Sequence, residues 1–516
     1  MLTSSDLNNT INELYEKYKH NSTILNKLTN HITNDLPIIL NNAKNIQQSR
    51  DDRKILLQEA HDKFVKQFIS RNIYFYCNTS EIFFKYNNEN YQVIKEDEII
   101  HSVLSTLNHH DYKNEFEYFQ EQLLPWKFKI KTSIIKQIRE SSIFSSIPES
   151  STIQNILNIF TNIFETKAET KYFLSIIGDT IFKKSTNINI ISSTAKPLIR
   201  MIENAVGQYF GHAPIQNAFR YKYHEHNYSD CRILLVKNKI NEGIFEELHK
   251  IIIDLVVVAC HYSTRYNIAD DYLTLCEETD LRKRILFLKN NDQTTIVEKF
   301  INSKIQISNA SNISMKNMLY LWKSYLDEIK LPNVIFTTTL KSLLKTFLQY
   351  DEKTDCFIDC TSLSIPFVSN FIKFWDENIK EDITEYYLEI DEICILFKQF
   401  LGKNHDVNEA TIKHLIKHFY PDISIDGKYI YAISCDSWKK QEDIINYLKI
   451  KITEQTIKTP EISRYELYND YSTKYCKKVK NNIVISKSYF DLFVSNIADK
   501  TNDTDMIDLT QLQLPQ

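Results

Sequence analysis

The chain has 516 residues, with 62 basic and 66 acidic side chains and a formal net charge of −4. This balance excludes a globally positive protein, so any nucleic-acid binding has to come from local basic patches. Nine scattered cysteines indicate no disulfide framework, and the most apolar run, residues 251–260, is too short to span a bilayer, so the sequence predicts an intracellular protein without membrane partners.

Helical periodicity dominates the first half of the chain. Residues 1–72 are predicted as an N-terminal helical region. Alternating apolar residues then predict three strands, at 73–77, 82–86 and 91–94, separated by Asn-rich turns. A sheet this small needs a helix to pack against. Helical patterns follow, so 73–210 is predicted as a β-meander plus helical domain.

The second half is less regular. Residues 211–310 are predicted as an irregular mixed α/β region around 251–260, which fits either a buried helix or a strand. Residues 311–384 return to a helical pattern. Near the C-terminus, 453–495 is a mixed segment and 496–516 is a polar, acidic tail that we predict to be disordered. The predicted fold class is therefore mainly α with small β elements, an α+β chain.

Residues 385–452 carry a pattern typical of a winged helix. An amphipathic helix at 388–400 precedes a second helix, Glu409–Phe419, whose apolar residues recur at i, i+3, i+4 and i+7. Two short strands follow, joined at Asp426-Gly427, which favours a tight hairpin because both residues tolerate positive φ. Helix, turn, basic helix and hairpin in this order predict a winged-helix-like module.

The outer side of the second helix carries Lys413, His414, Lys417 and His418, and Lys428 lies in the hairpin. DNA-binding modules of this class lay a helix in the major groove, so the three lysines are candidate nucleic-acid contacts. The module contains no arginine, the residue best suited to bidentate guanine recognition, so strong sequence preference is not indicated. Winged helices also serve as protein–protein adaptors, which is the alternative interpretation of this surface.

The strongest basic patch is WKFKIKTSIIKQIR, residues 126–139, which contains no acid. Its cations are interleaved with aromatic rings, including Phe128, as single-strand binding surfaces require. Smaller basic clusters lie at 219–223 and 477–480. For each cluster alone, the alternative is an ordinary solvated helix face. The candidate contacts of the main patch are Trp126, Lys127, Lys129, Lys131, Lys136 and Arg139.

The sequence contains no recognised catalytic motif. Its six glycines form neither GxxxxGK[ST] nor GxGxxG, so the backbone cradle that closes around phosphates in standard NTPases is missing. There is no GxSxG elbow, HExxH helix, CxxC pair or kinase signature either. The sequence therefore disfavours an enzymatic function, and no catalytic residue is predicted.

One group of residues is a candidate zinc site. His224, His226 and Cys231 lie close together in sequence, and His261 follows the apolar run. The HxH spacing would place both rings on one face of a strand, and nitrogen and sulfur donors suit tetrahedral zinc. A zinc enzyme using Glu225 is the third functional hypothesis. The alternative is surface histidines beside a buried core cysteine. Zinc is the only cofactor that the sequence suggests.

Two parts of the chain carry a resemblance. The strand pattern IYFYCNTSEIFFKYNNENYQVI, leading into PWKFKIKTSIIKQIRESSIFSSIPESSTIQNIL, resembles the region before the ATPase core in poxvirus-type primase–helicases of nucleocytoplasmic large DNA viruses. IPFVSNFIKFWDENI, EIDEICILFKQF and HFYPDISIDGKYIYAISCDSW are similar to C-terminal helical and winged-helix regions of giant-virus replication proteins. The likeness covers about half of the chain. Walker motifs and a primase acidic motif are absent, so the resemblance implies a non-catalytic relative or partner of viral replication or transcription machinery.

These observations together predict a viral nucleic-acid-binding accessory protein of replication or transcription, without catalytic activity. Its expected partners are DNA or RNA, bound without strong sequence preference, and viral replication or transcription proteins. Its expected location is the host cytoplasm or the viral factory. The alternative is a structural or adaptor protein that binds other viral proteins through the winged helix.

Overall fold

The protein folds into two units, Met1–Asn291 and Asp292–Gln516. Both are mainly helical with small sheets, in agreement with the predicted fold class. No helix in the described part of the chain is long and apolar enough to cross a membrane. The computed structural model describes residues 3–108, 123–237, 240–309, 311–402, 406–454, 461–479, 483–498, 506–509 and 512.

The N-terminal unit combines helices of very different lengths with two small sheets. Its described helices are Ser4–Tyr18 (α1), Ser22–Asn30 (α2), Leu36–Arg71 (α3), Glu96–Asn108 (α4), Lys127–Glu140 (α5), Ser150–Phe160 (α6), Lys167–Ile181 (α7), Lys196–Tyr209 (α8), Glu242–Lys250 (α9), Ile252–Tyr266 (α10), Ala269–Leu275 (α11) and Thr279–Ile285 (α12). Its described strands are Ile73–Cys77 (β1), Ile82–Tyr86 (β2), Tyr91–Ile94 (β3), Ile188–Ile190 (β4), Phe219–Arg220 (β5) and Cys231–Ile233 (β6).

The predicted meander forms the antiparallel sheet β1–β2–β3. Successive residues of a strand point to opposite faces, so neighbours enter different cores. Phe83 packs with buried residues of α3, α4 and α5, whereas Phe84 packs with residues of α6, α7, α8 and α10. The sheet is therefore covered by helices on both faces, which explains why its strands are rich in aromatic residues.

The segment 211–310, predicted as irregular, contains α9–α12 and is largely helical. Three of these helices have only seven to nine residues, and two turns show too little periodicity to be recognised. The apolar run 251–260 is the helix α10 rather than a strand. Strand β4 pairs in parallel with β5 and β6, forming the second sheet of this unit.

Helices α7 and α10 pack very closely where Gly178 of α7 faces α10. A Cβ atom at Gly178 would lie 2.3 Å from the carbonyl oxygen of Ala259 and 2.7 Å from the Cβ of Ser263. Real Cβ atoms do not approach other atoms this closely, so even a methyl group has no room here. The spacing of the two helices therefore depends on one glycine.

Asp254 is a buried acid within the apolar run. It is 2% exposed, and its Oδ1 accepts a hydrogen bond from the backbone N–H of Tyr91 at 2.6 Å. Burial raises the pKa of Asp254 to about 7, although the Tyr91 N–H acts in the opposite direction. An unfolded chain has an Asp pKa of about 3.9. The stability associated with protonated Asp254 is therefore complete below about pH 4 and is lost as the pH rises through about 7.

We expect Asp254→Asn to raise the free energy of unfolding by about 2–4 kcal/mol at pH 8. Asparagine keeps an oxygen for the Tyr91 N–H, while no charge has to be buried. The gain should shrink by more than half at pH 5, where folded wild type holds Asp254 protonated. Urea unfolding followed by circular dichroism at the two pH values measures the difference, and a gain independent of pH would contradict the assignment.

The C-terminal unit consists of medium-length helices and very short strands. Its described helices are Gln293–Lys304 (α13), Met315–Glu328 (α14), Thr337–Phe347 (α15), Ile365–Asn378 (α16), Ile390–Leu401 (α17), Glu409–Phe419 (α18), Lys440–Glu454 (α19), Arg464–Asp470 (α20), Cys476–Val479 (α21) and Lys487–Ile497 (α22). Its described strands are Gln306–Ile307 (β7), Ile313–Ser314 (β8), Tyr350–Asp351 (β9), Cys356–Phe357 (β10), Cys360–Thr361 (β11), Ile379–Glu381 (β12), Tyr387–Glu389 (β13), Ile425–Asp426 (β14), Tyr429–Tyr431 (β15), Ile433–Cys435 (β16), Glu461–Ser463 (β17) and Met506–Asp508 (β18).

The helix pair α17–α18 is followed by the hairpin β14–β15, as the sequence predicted. Strand β15 also pairs with β13, so the strand before α17 and the hairpin form one three-stranded sheet in the order β13–β15–β14. The turn lies one residue later than predicted: Asp426 pairs with Tyr429, and the loop residues are Gly427 and Lys428. Gly427 has φ +59°, and glycine is favoured at the first position of such a two-residue loop.

The prediction of a disordered tail at 496–516 was wrong for Asn496 and Ile497, which end α22, and for residues 506–509. Strand β18 pairs antiparallel with β17, and Ile507 and Leu509 are buried in the core formed by α19, α20 and α22. Two apolar side chains in an otherwise polar segment are enough to anchor it. The remaining tail residues after Ala498, apart from Leu512, lie outside the described residues.

Candidate nucleic-acid interfaces

Helix α5 turns one side of the predicted basic patch to solvent. Its inner side is formed by four buried isoleucines: Ile130, Ile134, Ile135 and Ile138. By helical geometry, Lys129 and Lys136 lie near the middle of the outer side and Phe128 lies at its edge, about a quarter turn away. Lys127 and the half-buried Lys131 lie beyond Phe128, towards the inner side. The arrangement places an aromatic ring between two pairs of cations.

The two aromatic residues of this patch differ in their availability. Phe128 exposes 75% of its surface. Trp126 is half-buried: its ring centroid lies 6.0 Å from that of His61, and the Lys129 ammonium lies 4.0 Å from the ring. Trp126 is therefore already engaged by neighbours within the protein. Phe128 is the more exposed of the two aromatic residues and therefore the better candidate to stack on a ligand, although the Lys131 ammonium lies 5.8 Å from its ring.

The cations of the patch differ in the same way. Lys129 donates to the side-chain oxygen of Gln58 at 2.6 Å, and Arg139 pairs with Glu96 at 3.0 Å. Within the described part of the chain, the other three predicted lysines of the patch form no ion pair; these are Lys127, Lys131 and Lys136. Three of the five predicted cations of the patch therefore have no ion pair among the described residues, and one of these three, Lys131, lies 5.8 Å from the Phe128 ring.

The outer side of α18 is partly covered by α14. The His414 ring lies 5.3 Å from that of Tyr320, and its Nε2 lies 3.5 Å from the Asp327 carboxylate. His418 Nε2 lies 2.9 Å from the carbonyl oxygen of Lys316, and burial lowers the pKa of His418. Both histidines, which the sequence placed on the outer side of the helix, are therefore half-buried because α14 packs against them.

The two lysines of α18 remain accessible to different extents. Lys417 is exposed. Lys413 is half-buried and lies 3.5 Å from Glu409, one helical turn earlier. Surface pairs at this spacing leave the cation largely available, since they contribute only tenths of a kcal/mol. The face that α18 offers a partner is therefore a narrow strip with two cations and one acid.

Lys428 is used within the fold. Its ammonium pairs with the carboxylate of Glu389, which is 1% exposed, and this hydrogen bond raises the pKa of Lys428. Glu389 precedes α17, so the pair ties the hairpin turn to the start of that helix. A nucleic-acid phosphate at Lys428 would have to compete with a buried carboxylate. The predicted role of Lys428 as a backbone contact is therefore weakened.

A shallow cleft of about 550 Å³ lies along α8, where the sequence indicated no site. Lys196 and Arg200 line one side one helical turn apart, and His249 and Ile252 line the other. Three uncharged residues separate the two cations in the sequence, so they form no visible cluster. The ammonium of Lys196 also lies 5.8 Å from the ring of Tyr221, within the smaller predicted cluster at 219–223.

The predicted zinc ligands are not brought together. Among the described residues, no group of three or more His, Cys, Asp or Glu side chains is placed to hold a metal ion. His224 and His226 lie in a loop rather than on a strand, with Glu225 between them at φ +46°. Cys231 is buried in β6, where burial raises the pKa of its thiol, and His261 lies on α10.

No protein-family model matches the chain, and no curated protein matches it. Function therefore has to be inferred from the side chains themselves. Helix α5 has an exposed phenylalanine ring and three lysines without an ion pair among the described residues. In the C-terminal module, His414, His418 and Lys428 instead contact other residues of the protein. The first surface is the better candidate for nucleic acid.

Proposed function

We propose that the protein is a nucleic-acid-binding accessory protein, without catalytic activity, that binds single strands through α5. The observation that carries the proposal is the exposed ring of Phe128, which lies between Lys127 and Lys131 on one side and Lys129 and Lys136 on the other. An exposed ring is unfavourably hydrated, and a stacked base would remove that surface from water. Lys127, Lys131 and Lys136 would contact the flanking phosphates. The resemblance noted above supports a role beside viral replication or transcription proteins.

Phe128→Ala is expected to weaken single-strand binding about tenfold or more, since stacking on an aromatic residue contributes ~1–3 kcal/mol per base. The substitution should leave stability unchanged because the ring packs against little of the protein. Fluorescence anisotropy with labelled single-stranded and duplex DNA and RNA measures the effect. Binding by wild type should weaken steeply between about 50 and about 200 mM salt.

Changing Lys127, Lys131 and Lys136 together to Glu tests the electrostatic part and should abolish measurable binding. The matched control changes three exposed lysines elsewhere in the chain, Lys250, Lys353 and Lys449, to Glu, which alters the net charge equally. Equal losses in both triple variants would show that only net charge matters. If wild type binds neither single strands nor duplex at low salt, the proposed function is wrong.

We also propose that residues 385–452, preceded by α16, form a winged-helix module. Support comes from the order of α16, β13, α17, α18 and the hairpin β14–β15, with β15 pairing to both other strands. In this module α18 occupies the position of the recognition helix and the hairpin that of the wing.

A second candidate function is that of a protein adaptor, which is favoured because several side chains of this module already contact other parts of the protein. Helix α14 covers the histidines of α18, and Glu389 holds Lys428. Changing Lys413 and Lys417 to Glu distinguishes the two roles: unchanged nucleic-acid binding would support the adaptor role, and a large loss would make α18 a second nucleic-acid contact.

A further inference from the structure

The long N-terminal helix has an apolar stripe that nothing in the described protein covers fully. Helix α2, a five-residue π-turn and α3 form continuous helix over residues 22–71, about 75 Å in length. No side chain between Thr3 and Glu59 is buried, and α3 first enters a core at Ala60. Helices of this length gain most of their stability from packing, so an unburied stretch of this size implies a missing partner.

The exposed stripe has the spacing of a coiled coil. Leu25, Ile32, Ile39 and Ile46 recur every seven residues, which is the period of one of the two seam positions of a coiled coil. At the second position, Leu28 is followed by the polar residues Asp35 and Asn42. Leu28, Leu36, Leu40 and Ala43 fill positions beside them. The first part of the seam is half-buried by α1, but Ile39 and Ile46 are 60% and 54% exposed.

The stripe continues the face that α3 already uses for packing. Eighteen residues make about five full helical turns, so Ile46 lies in line with Phe64 and Ala43 with His61, both of which are buried in the core with α5. The same helical face is therefore covered near its C-terminal end and open over residues 36–46. A second helix could extend that packing without any change in the fold.

The charge of this surface is compatible with another copy of this chain as the partner and disfavours nucleic acid. Seven basic and six acidic residues lie between Thr3 and Lys54, and Lys44 is the only charged residue in 36–48. A surface so close to neutral has no attraction for nucleic acid, and two copies would not repel each other. Residues 22–46, about 37 Å long, and α1, about 22 Å long, together offer about 590 Å² at a width of about 10 Å, which corresponds to the lower end of the ~1,200–2,000 Å² that stable complexes bury in total.

We propose that the protein forms a homodimer through the α2–α3 stripe of Leu25, Ile32, Ile39 and Ile46. The inference is independent of the proposed function, since it concerns a different surface. The expected mass in solution is twice the 61.0 kDa of the chain. Size-exclusion chromatography with light scattering, over a range of micromolar concentrations, measures it directly.

A matched pair of variants tests the face as well as the oligomeric state. Ile39→Glu with Ile46→Glu places charges in the stripe and should shift the protein to the monomer mass. Gln48→Glu with Ile55→Glu adds the same two charges at exposed residues on the opposite face, where Ile55 is 58% exposed, and should leave the dimer intact. Circular dichroism should show the same thermal unfolding of the folded core in both variants, since all four side chains are exposed.

Three outcomes would overturn the proposal: a wild type that is monomeric throughout, a dimer that survives both substitutions in the stripe, or a dimer lost equally in the opposite-face variant. Loss of nucleic-acid binding with an intact dimer would affect only the proposed function.

Discussion

Replacing Lys440 by methionine is expected to lower the free energy of unfolding of the C-terminal unit by about 3–5 kcal/mol. The Lys440 side chain is fully buried; its ammonium donates to the Glu392 carboxylate at 2.8 Å and to the Tyr387 carbonyl at 3.2 Å. It also lies 3.8 Å from the ring centre of Tyr489. Methionine fills the space but leaves Glu392, which is 3% exposed, without its cation.

Burial lowers the pKa of Lys440 and raises the pKa of Glu392, and their mutual attraction opposes both changes. Adding Glu392→Gln to Lys440→Met should therefore recover more than half of the lost stability. In the wild type, the Glu392 carboxylate accepts a hydrogen bond from the Glu389 N–H at 2.9 Å, as part of a capping box. Glutamine carries no charge and keeps an oxygen that can accept the same hydrogen bond. Recovery by the second substitution would show that the uncompensated charge, rather than lost packing, causes the effect.

The neighbouring residue provides the control. Lys439 is more than half exposed and pairs with Glu442 three residues later, so Lys439→Met should cost less than about 1 kcal/mol. Urea unfolding followed by tryptophan fluorescence suits this unit, because it contains Trp322, Trp375 and Trp438. Equal effects of the two lysine substitutions would rule out a special role for the buried pair.

Local patterns predicted local elements well. The bounds of the three meander strands were predicted as the structure has them, because Asn-rich turns separate runs of aromatic and β-branched residues. The second helix of the C-terminal module was also read correctly, since Asn408 caps its first turn and four apolar residues mark its inner face. In each case the residues that determine the element are only a few positions apart in the sequence, so local steric and hydrogen-bonding preferences predict it.

Features that depend on contacts between residues far apart in the chain could not be predicted from the sequence. Strand β18 exists because β17, more than forty residues earlier, supplies its hydrogen-bonding partner. The run 251–260 is buried on all sides, so no polar face revealed its helical period. At the candidate site, the sequence showed the basic residues but not their partners. Gln58 and Glu96, which engage Lys129 and Arg139, are far away in the chain.

Gly178→Ala is expected to destabilise the N-terminal unit by about 3 kcal/mol or more, although alanine is the better helix former by about 1 kcal/mol. The new methyl group would lie 2.3 Å from the Ala259 carbonyl oxygen, which belongs to the backbone of α10. A side chain could rotate away, but a helical carbonyl can move only with its helix. The contact can be relieved only by separating α7 from α10.

Such a separation would affect the bonds that join α7 to α10 and the segment after it. Asp179 accepts hydrogen bonds from the Ser263 hydroxyl at 2.6 Å and from the Ala269 N–H at 2.7 Å. Burial raises the pKa of Asp179, whereas these donors favour its charged form. Loosening them would leave a buried carboxylate poorly satisfied, which adds to the packing cost.

Gly207→Ala is the matched control, because Gly207 also lies within a helix of the same unit and its added Cβ would meet nothing within 4 Å. We expect this substitution to stabilise the protein by up to about 1 kcal/mol, through helix propensity and a less flexible unfolded chain. Thermal unfolding followed by circular dichroism should therefore move in opposite directions for the two variants. A stabilising Gly178→Ala would mean that α7 and α10 pack less closely in solution than this contact requires.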